Sequence, residues 1–343
     1  MVGGGPAGSA AAIALARGGA MPVLIERCPG ERDVVCGGFL GWDALAALKR
    51  LGLDPAALGA RPIHRLRLVA AARTIEADLP RAAAGLSRRR LDAALLRMAE
   101  EAGAAVLRGR SARALDGNRV RLDDGEEMAA DALFLATGKH ELRGAARAIG
   151  GRPVSVGLRA ALPPLPDLAG TIELHLFEGG YAGLLVQEDG ATNLCLTVTR
   201  ARMAGKPEAL LAELMAEAPL LGARIGTIPS TWEAVAGVPY GWRALATSPG
   251  CYRIGDQAAV IASLAGDGIA IALASGVAAA HACLAGQGAP AWQRDFAKRS
   301  ARPIRVAEAL RRLAARPLRR KLMMALAGVP GVAKAAARLT RIG

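Results

Sequence analysis

The chain has 343 residues, room for about two domains, and 52% of them are apolar, which excludes a disordered chain. Aromatics are only 3%, and no zinc-finger or RNP-like pattern occurs, which argues against a nucleic-acid binder that stacks bases. The net charge of +14 suits anionic lipid or acidic ligands, or is a compositional habit of an Arg- and Ala-rich proteome.

In chain order, the first unit reads as strand, glycine turn, helix, strand. Residues 3–8 are the turn, residues 9–17 an Ala-rich helix, and residues 22–26 an apolar strand ending in an acid. Only Met1 and Val2 precede Gly3. The strand expected at the sheet centre is therefore very short, or the start is set late. A helix comes next over residues 43–51, then a hairpin over 65–70 and 74–79. Residues 88–102 are a periodic helix with Leu91, Leu95, Leu96 and Met98 on its apolar side. Residues 105–107 are a strand, residues 119–122 and 127–130 a hairpin around Asp123-Asp124-Gly125, and residues 132–136 a buried strand.

From residue 154 the pattern turns to strands. Residues 155–161, 171–177, 181–187 and 192–198 fit one antiparallel sheet, followed by a helix over 208–217. Residues 237–243 lead back to the first domain. Residues 251–255 are a strand and residues 269–285 a long helix. The apolar run 258–284 is interrupted by Asp267. The uncharged stretch after Asp267 falls short of the roughly 18–20 residues of a membrane span, so it reads as a buried helix. The tail from residue 302 is helical, with breaks at Pro317 and Gly328-Val329-Pro330.

Gly3-Gly4-Gly5-Pro6-Ala7-Gly8 fits G-x-G-x-x-G and opens a helix. Gly3 permits the tight turn, Gly5 lets backbone approach a pyrophosphate, and Gly8 lets helix and strand pack. The helix N-terminus offers free N–H groups to phosphate. Glu26, with Arg27 after it, stands about 20 residues on, where an acid accepts from ribose hydroxyls and disfavours a 2′-phosphate. The ligand is thus FAD or NAD. A second glycine turn lies far downstream, with Gly255-Asp256 after a strand and Gly266-Asp267-Gly268 before the long helix. A helix N-terminus there suits the edge of a flavin, which gains negative charge on reduction. Asp256 is placed to bind ribityl hydroxyls.

These motifs, with Ser87-Arg88-Arg89-Arg90-Leu91-Asp92 and Ala136-Thr137-Gly138, occur in an order that resembles one flavoprotein superfamily. It contains para-hydroxybenzoate hydroxylase-type monooxygenases and geranylgeranyl reductases, and the resemblance covers nearly the whole chain. It implies that Arg88, Thr137 and Gly138 contact FAD, Asp256 the ribityl–pyrophosphate region, and Gly266, Gly268 and Ile269 the isoalloxazine ring. Cys36-Gly37-Gly38-Phe39 resembles the Cys-Gly-Gly segment of the reductase branch, which lies near the flavin. Two departures stand out. The A-D-G motif that the hydroxylase branch links to NAD(P)H reads Ala136-Thr137-Gly138 here, so NAD(P)H is only a candidate electron donor. The Tyr-x-Trp-x-Phe-Pro segment of the reductases is matched by Gly180-Tyr181-Ala182-Gly183-Leu184, without Trp or Pro.

The expected fold class is α/β: a Rossmann-type FAD-binding domain with an inserted mixed-sheet substrate domain and a C-terminal helical tail. Expected boundaries are 1–60, 84–150 and 245–300 for the discontinuous FAD-binding domain. Residues 61–83 and 151–244 form the substrate domain, and 301–343 the basic tail. The expected function is FAD-dependent oxidation–reduction of a hydrophobic small molecule. A monooxygenase leads, and a double-bond reductase and a flavin-free NAD-dependent dehydrogenase are the alternatives. Weak catalytic candidates are His140, Tyr181 on the sheet facing the expected flavin cavity, and Cys36, the last more readily read as a small buried residue. The four His and five Cys are dispersed, so no metal site is expected. The absence of a leader pattern points to a reducing cytoplasm. In the tail, cations alternate with Leu, Met, Ala and Val. This makes the tail a candidate peripheral contact with the inner face of the membrane, or a basic cap on the FAD domain.

Overall fold

The computed structural model describes residues 1–342, and its first helix starts inside the glycine turn. Helix α1 (Pro6–Arg17) begins three residues before the Ala-rich run, because Pro at the first helical position costs no hydrogen bond. Strands β1 (Val23–Glu26) and β2 (Phe39–Leu40) and helix α2 (Trp42–Leu51) come next. The hairpin β3 (Arg61–Ala70) and β4 (Arg73–Gly85) is longer than expected. Helix α3 (Arg88–Glu101) is capped by Ser87, whose Oγ accepts from the Arg90 amide. After it stand β5 (Ala105–Arg108), β6 (Ala112–Asp116), β7 (Arg119–Leu122), β8 (Glu127–Ala129) and β9 (Leu133–Leu135). The second half holds β10 (Ser155–Leu162), β11 (Thr171–Phe177), β12 (Gly180–Val186), β13 (Thr192–Thr199), α4 (Pro207–Glu217), α5 (Pro219–Ile225), β14 (Glu233–Val238) and β15 (Cys251–Arg253). Helices α6 (Gly268–Leu284), α7 (Ala289–Arg299), α8 (Ala301–Ala314), α9 (Pro317–Ala327) and α10 (Val332–Leu339) complete the chain.

The two residues before the glycine turn are the centre of a parallel layer. Val2 bridges Ile25 of β1 on one side and Leu135 of β9 on the other, both in parallel. β1 pairs with β5, and β9 with β15. The order β5-β1-Val2-β9-β15 reverses direction at Val2, the switch point where α/β sheets bind ligands. α1 lies against α6 almost backbone to backbone: a Cβ at Gly276 would come 2.3 Å from the Ala7 carbonyl oxygen. Small residues allow this, and Ala10, Ala11 and Ala12 are fully buried. α6 is thus a core helix, and no single helix among the described residues is long and apolar enough to cross a membrane.

The second layer is an eight-stranded sheet, order β14-β10-β13-β12-β11-β3-β4-β2. β10 to β13 make the expected antiparallel ladder, while β11 pairs with β3 in parallel, so the sheet is mixed. Side chains alternate across β12. Ala182 and Leu184 face the cluster of α4 and α5 with Leu210, Leu211 and Leu214. Tyr181 and Leu185 face the other way, into a cluster with Ala314 and Met324 of the tail helices.

Candidate active site

The face of this sheet that carries Thr197, the start of α1 and the start of α6 border one cavity of about 910 Å³. That is within the range for a cofactor-sized ligand. Gly3, Gly5, Pro6 and Ala7 line it, and Gly8 stands behind them. The turn tolerates little else: Gly3 has φ 107°, and a Cβ at Gly8 would lie 2.0 Å from the Gly3 carbonyl oxygen. The Ser9 amide donates to the Gly5 carbonyl, which leaves the Ala7 and Gly8 amides without a helical acceptor.

Glu26 closes β1 at the cavity edge. Its two oxygens accept from the Gly4 amide at 2.7 Å and the Cys28 amide at 2.9 Å, and each keeps a lone pair for a ligand hydroxyl. Arg88 lies across from Gly5, its Nη2 3.4 Å from where a Cβ of Gly5 would be. Asp92 grips it with two bonds of 2.8 and 2.7 Å. Burial opposes the Arg88 charge, but Asp92 overrides this and holds the guanidinium above its ordinary range.

Thr137, Gly138, Gly255 and Asp256 also line the cavity. Two side chains fasten their loops together. Gln257 donates to the Gly138 and His140 carbonyls, and Arg147 donates to the Lys139 and Asp256 carbonyls. Lys139, which sequence reading passes over, pairs with Asp256 at 3.2 Å. His140 accepts from Arg27 at 2.8 Å. Burial and the charges of Arg27, Arg32, Lys139 and Arg147 lower its pKa, so it is held neutral. Arg27 and His140 both line the cavity, and the pair stands with these cations rather than with the tyrosines.

Gly266, Gly268 and Ile269 line the wall at the start of α6. Gly266 has φ 68°, and a Cβ there would strike the Phe39 ring at 2.7 Å. Between them Asp267 is fully buried, bound by the Arg341 guanidinium at 2.8 Å and the Ile342 amide at 3.0 Å. Cys36 and Gly37 cross the opposite side. Asn193 holds this crossing by donating to the Cys36 carbonyl at 3.1 Å, and Arg159 holds it by an ion pair to Asp33 at 3.0 Å. The φ of Gly38 is 69°.

Tyr181, expected on the sheet facing the cavity, shares the face of its ladder partner Thr197 but does not line the cavity; its phenol lies beside Thr197 and Ser263. The phenol that does line the cavity is Tyr240, from the segment after β14. Its Oη lies 2.7 Å from Ser263 Oγ and 3.2 Å from Thr197 Oγ1. Burial raises its pKa and so keeps the proton on. Cys195 lines the same wall, and burial pushes its thiol up to about 12, which denies it a thiolate. Val260, Ile261, Trp232 and Val235 supply apolar surface. Among the described residues no group of His, Cys, Asp and Glu could hold a metal.

Residues 1–145 match the family model described as FAD binding domain. This stretch is an FAD-binding domain. The chain's motifs resemble those of the para-hydroxybenzoate hydroxylase and geranylgeranyl reductase superfamily of oxidoreductases. The chain is 29% identical to a menaquinone reductase from Mycobacterium tuberculosis, over 90% of this chain and 82% of that one. A geranylgeranyl bacteriochlorophyll reductase-like protein from Thermoplasma acidophilum shares its fold with a TM-score of 0.78, at 20% identity, over 98% of this chain and 95% of that one. A probable FAD-dependent monooxygenase from Pseudomonas aeruginosa does so at 0.68 and 18% identity, over 98% and 97%. Reductase-like and monooxygenase proteins share this fold, so the reaction must be argued from the site. The residues present fit FAD: a glycine cradle that side chains would fill, an acid with free lone pairs, and two helix N-termini on one cavity.

Proposed function

We propose that the flavoprotein is a reductase of a lipophilic quinone-type substrate, adding a hydride and a proton across a polarised double bond. The observation that carries this reading is the Tyr240 phenol, held on the cavity wall by Thr197 and Ser263. FAD, when bound, supplies the hydride. Glu26 would hold its ribose, and the free amides of α1 with Arg88 its pyrophosphate. Thr137, Gly138, Gly255 and Asp256 would flank the ribityl chain, and Gly266, Gly268 and Ile269 the ring, with Gly37 opposite. NAD(P)H is the proposed electron donor.

Tyr240 acts at the substrate. Its raised pKa keeps the phenol protonated at neutral pH, so it gives up its proton only to an atom that is gaining negative charge. The hydroxyls of Ser263 and Thr197 are within reach to return a proton. Val260, Ile261, Trp232 and Val235 keep water from the transfer. The curated relative named menaquinone reductase supports the substrate class.

The test is an anaerobic single turnover of reduced holoenzyme with menaquinone, read by product mass. The expected product has gained two hydrogen atoms, and Tyr240→Phe slows its formation by about a hundredfold without loss of FAD. A product that forms only in air and carries a new oxygen atom would contradict the reductase and favour hydroxylation.

A further inference from the structure

We infer that the outer face of α9 docks on an anionic bilayer, its leucines among the acyl chains and its flanking cations on the phosphates. The helix has two apolar faces with different duties. Its inner face belongs to the protein: Met324 is buried, and with Met323 it packs in the cluster that holds Tyr181, Leu264 and Phe39. Its outer face is open to solvent. Leu318, Leu322 and Leu326 are 81%, 59% and 50% exposed and recur every four residues, which puts them on one stripe. At about 100° per residue, Lys321 falls on one flank of that stripe and Arg319 on the other. Val329, Val332 and Leu339 extend it toward α10, so this segment holds six of the ten exposed large apolar residues among those described. Scattered apolar residues are ordinary on a surface, but a stripe in register is not.

Charge decides what covers it. Residues 301–343 carry eleven Lys and Arg and one acid, Glu308. Arg311 and Arg312 already occupy Glu308, at 2.7 and 2.8 Å. Among the described residues Arg316, Arg319 and Lys321 form no ion pair. A second copy would press this cationic surface against itself. Nucleic acid would leave the leucines in water, and the segment has no aromatic residue on which to stack a base. Anionic lipid satisfies both the stripe and its flanks. The helices lie on the membrane rather than cross it: none is long enough alone, and α9 and α10 meet at 110°. The apolar cluster beneath α9 runs on to Phe39, which lines the cavity, so a lipophilic substrate leaves the bilayer on the flavin side of the molecule.

The full-length holoprotein should co-sediment with vesicles of phosphatidylcholine plus phosphatidylglycerol and not with phosphatidylcholine alone, and added salt should release it. Replacing Leu318, Leu322 and Leu326 together by Ser should weaken binding at least tenfold while FAD stays bound. Replacing Arg319 and Lys321 by Gln should weaken it about tenfold or more. Leu245→Ser, which removes an exposed leucine elsewhere, should leave binding unchanged. The inference is overturned if the triple variant binds as the unaltered chain does, if Leu245→Ser weakens binding equally, or if neutral vesicles bind as well. It is also overturned if the unaltered chain is a dimer that the triple variant dissolves.

Discussion

Lys139 stands directly after the Thr137-Gly138 turn and reaches Asp256, far downstream, at 3.2 Å. The Asp256 charge raises its pKa above the ordinary lysine range against the pull of burial, so the ammonium is fixed as a cation on the cavity wall. A pyrophosphate entering this cavity would find it there. Lys139→Met should weaken FAD binding about tenfold, the worth of one hydrogen bond to a charged group; unchanged affinity in a fluorescence titration would remove Lys139 from the cradle. Single residues are legible where a motif fixes them, as at Gly3, Gly8 and Glu26. They are not legible where strand pairing decides. Tyr181 pairs with Thr197 in the ladder and so shares its face of the sheet, but it stands one strand away from the cavity wall, packed with Ala314 and Met324 of the tail helices. Tyr240 carries no motif, and its one signal is scarcity, as one of three tyrosines in the chain.

At the scale of elements, the start of α6 and the end of the chain form one unit. Burial lifts the Asp267 carboxyl to about 6, although Arg341 pulls it down. The folded pKa exceeds the unfolded value near 3.8. Stability from this group is therefore full below about 3.8 and is lost as pH rises through about 6. Removing Arg341, whose guanidinium also stacks 4.2 Å over the Trp42 ring, would leave the carboxylate buried and unpaired. Arg341→Ala should cost about 3 kcal/mol at neutral pH, and distinctly less at pH 5, by denaturant unfolding. An equal cost at both pH values would contradict the coupling. Sequence periodicity finds α2, α3 and α4, which show the core a repeated apolar face, but it passes over the short α5 and over α7. It misses β14, where the Gly237 interruption hides a short strand, and β6, whose polar edge alternates weakly.

The whole molecule depends on pairings between distant segments. β11 lies in parallel beside β3 about a hundred residues earlier, and β15 beside β9. Local spacing carries no record of such neighbours, so the sequence suggests separate sheets and turns while only the fold joins them into one cavity. The motifs cross that gap because they bind one ligand: Gly3, Arg88, Gly138, Asp256 and Gly268 come from four stretches of chain and line the same space. The direct measurement is a visible absorption titration of the purified chain with FAD. The account predicts structured flavin bands that saturate at one FAD per chain and survive gel filtration. A folded protein that leaves added FAD free in solution would contradict it.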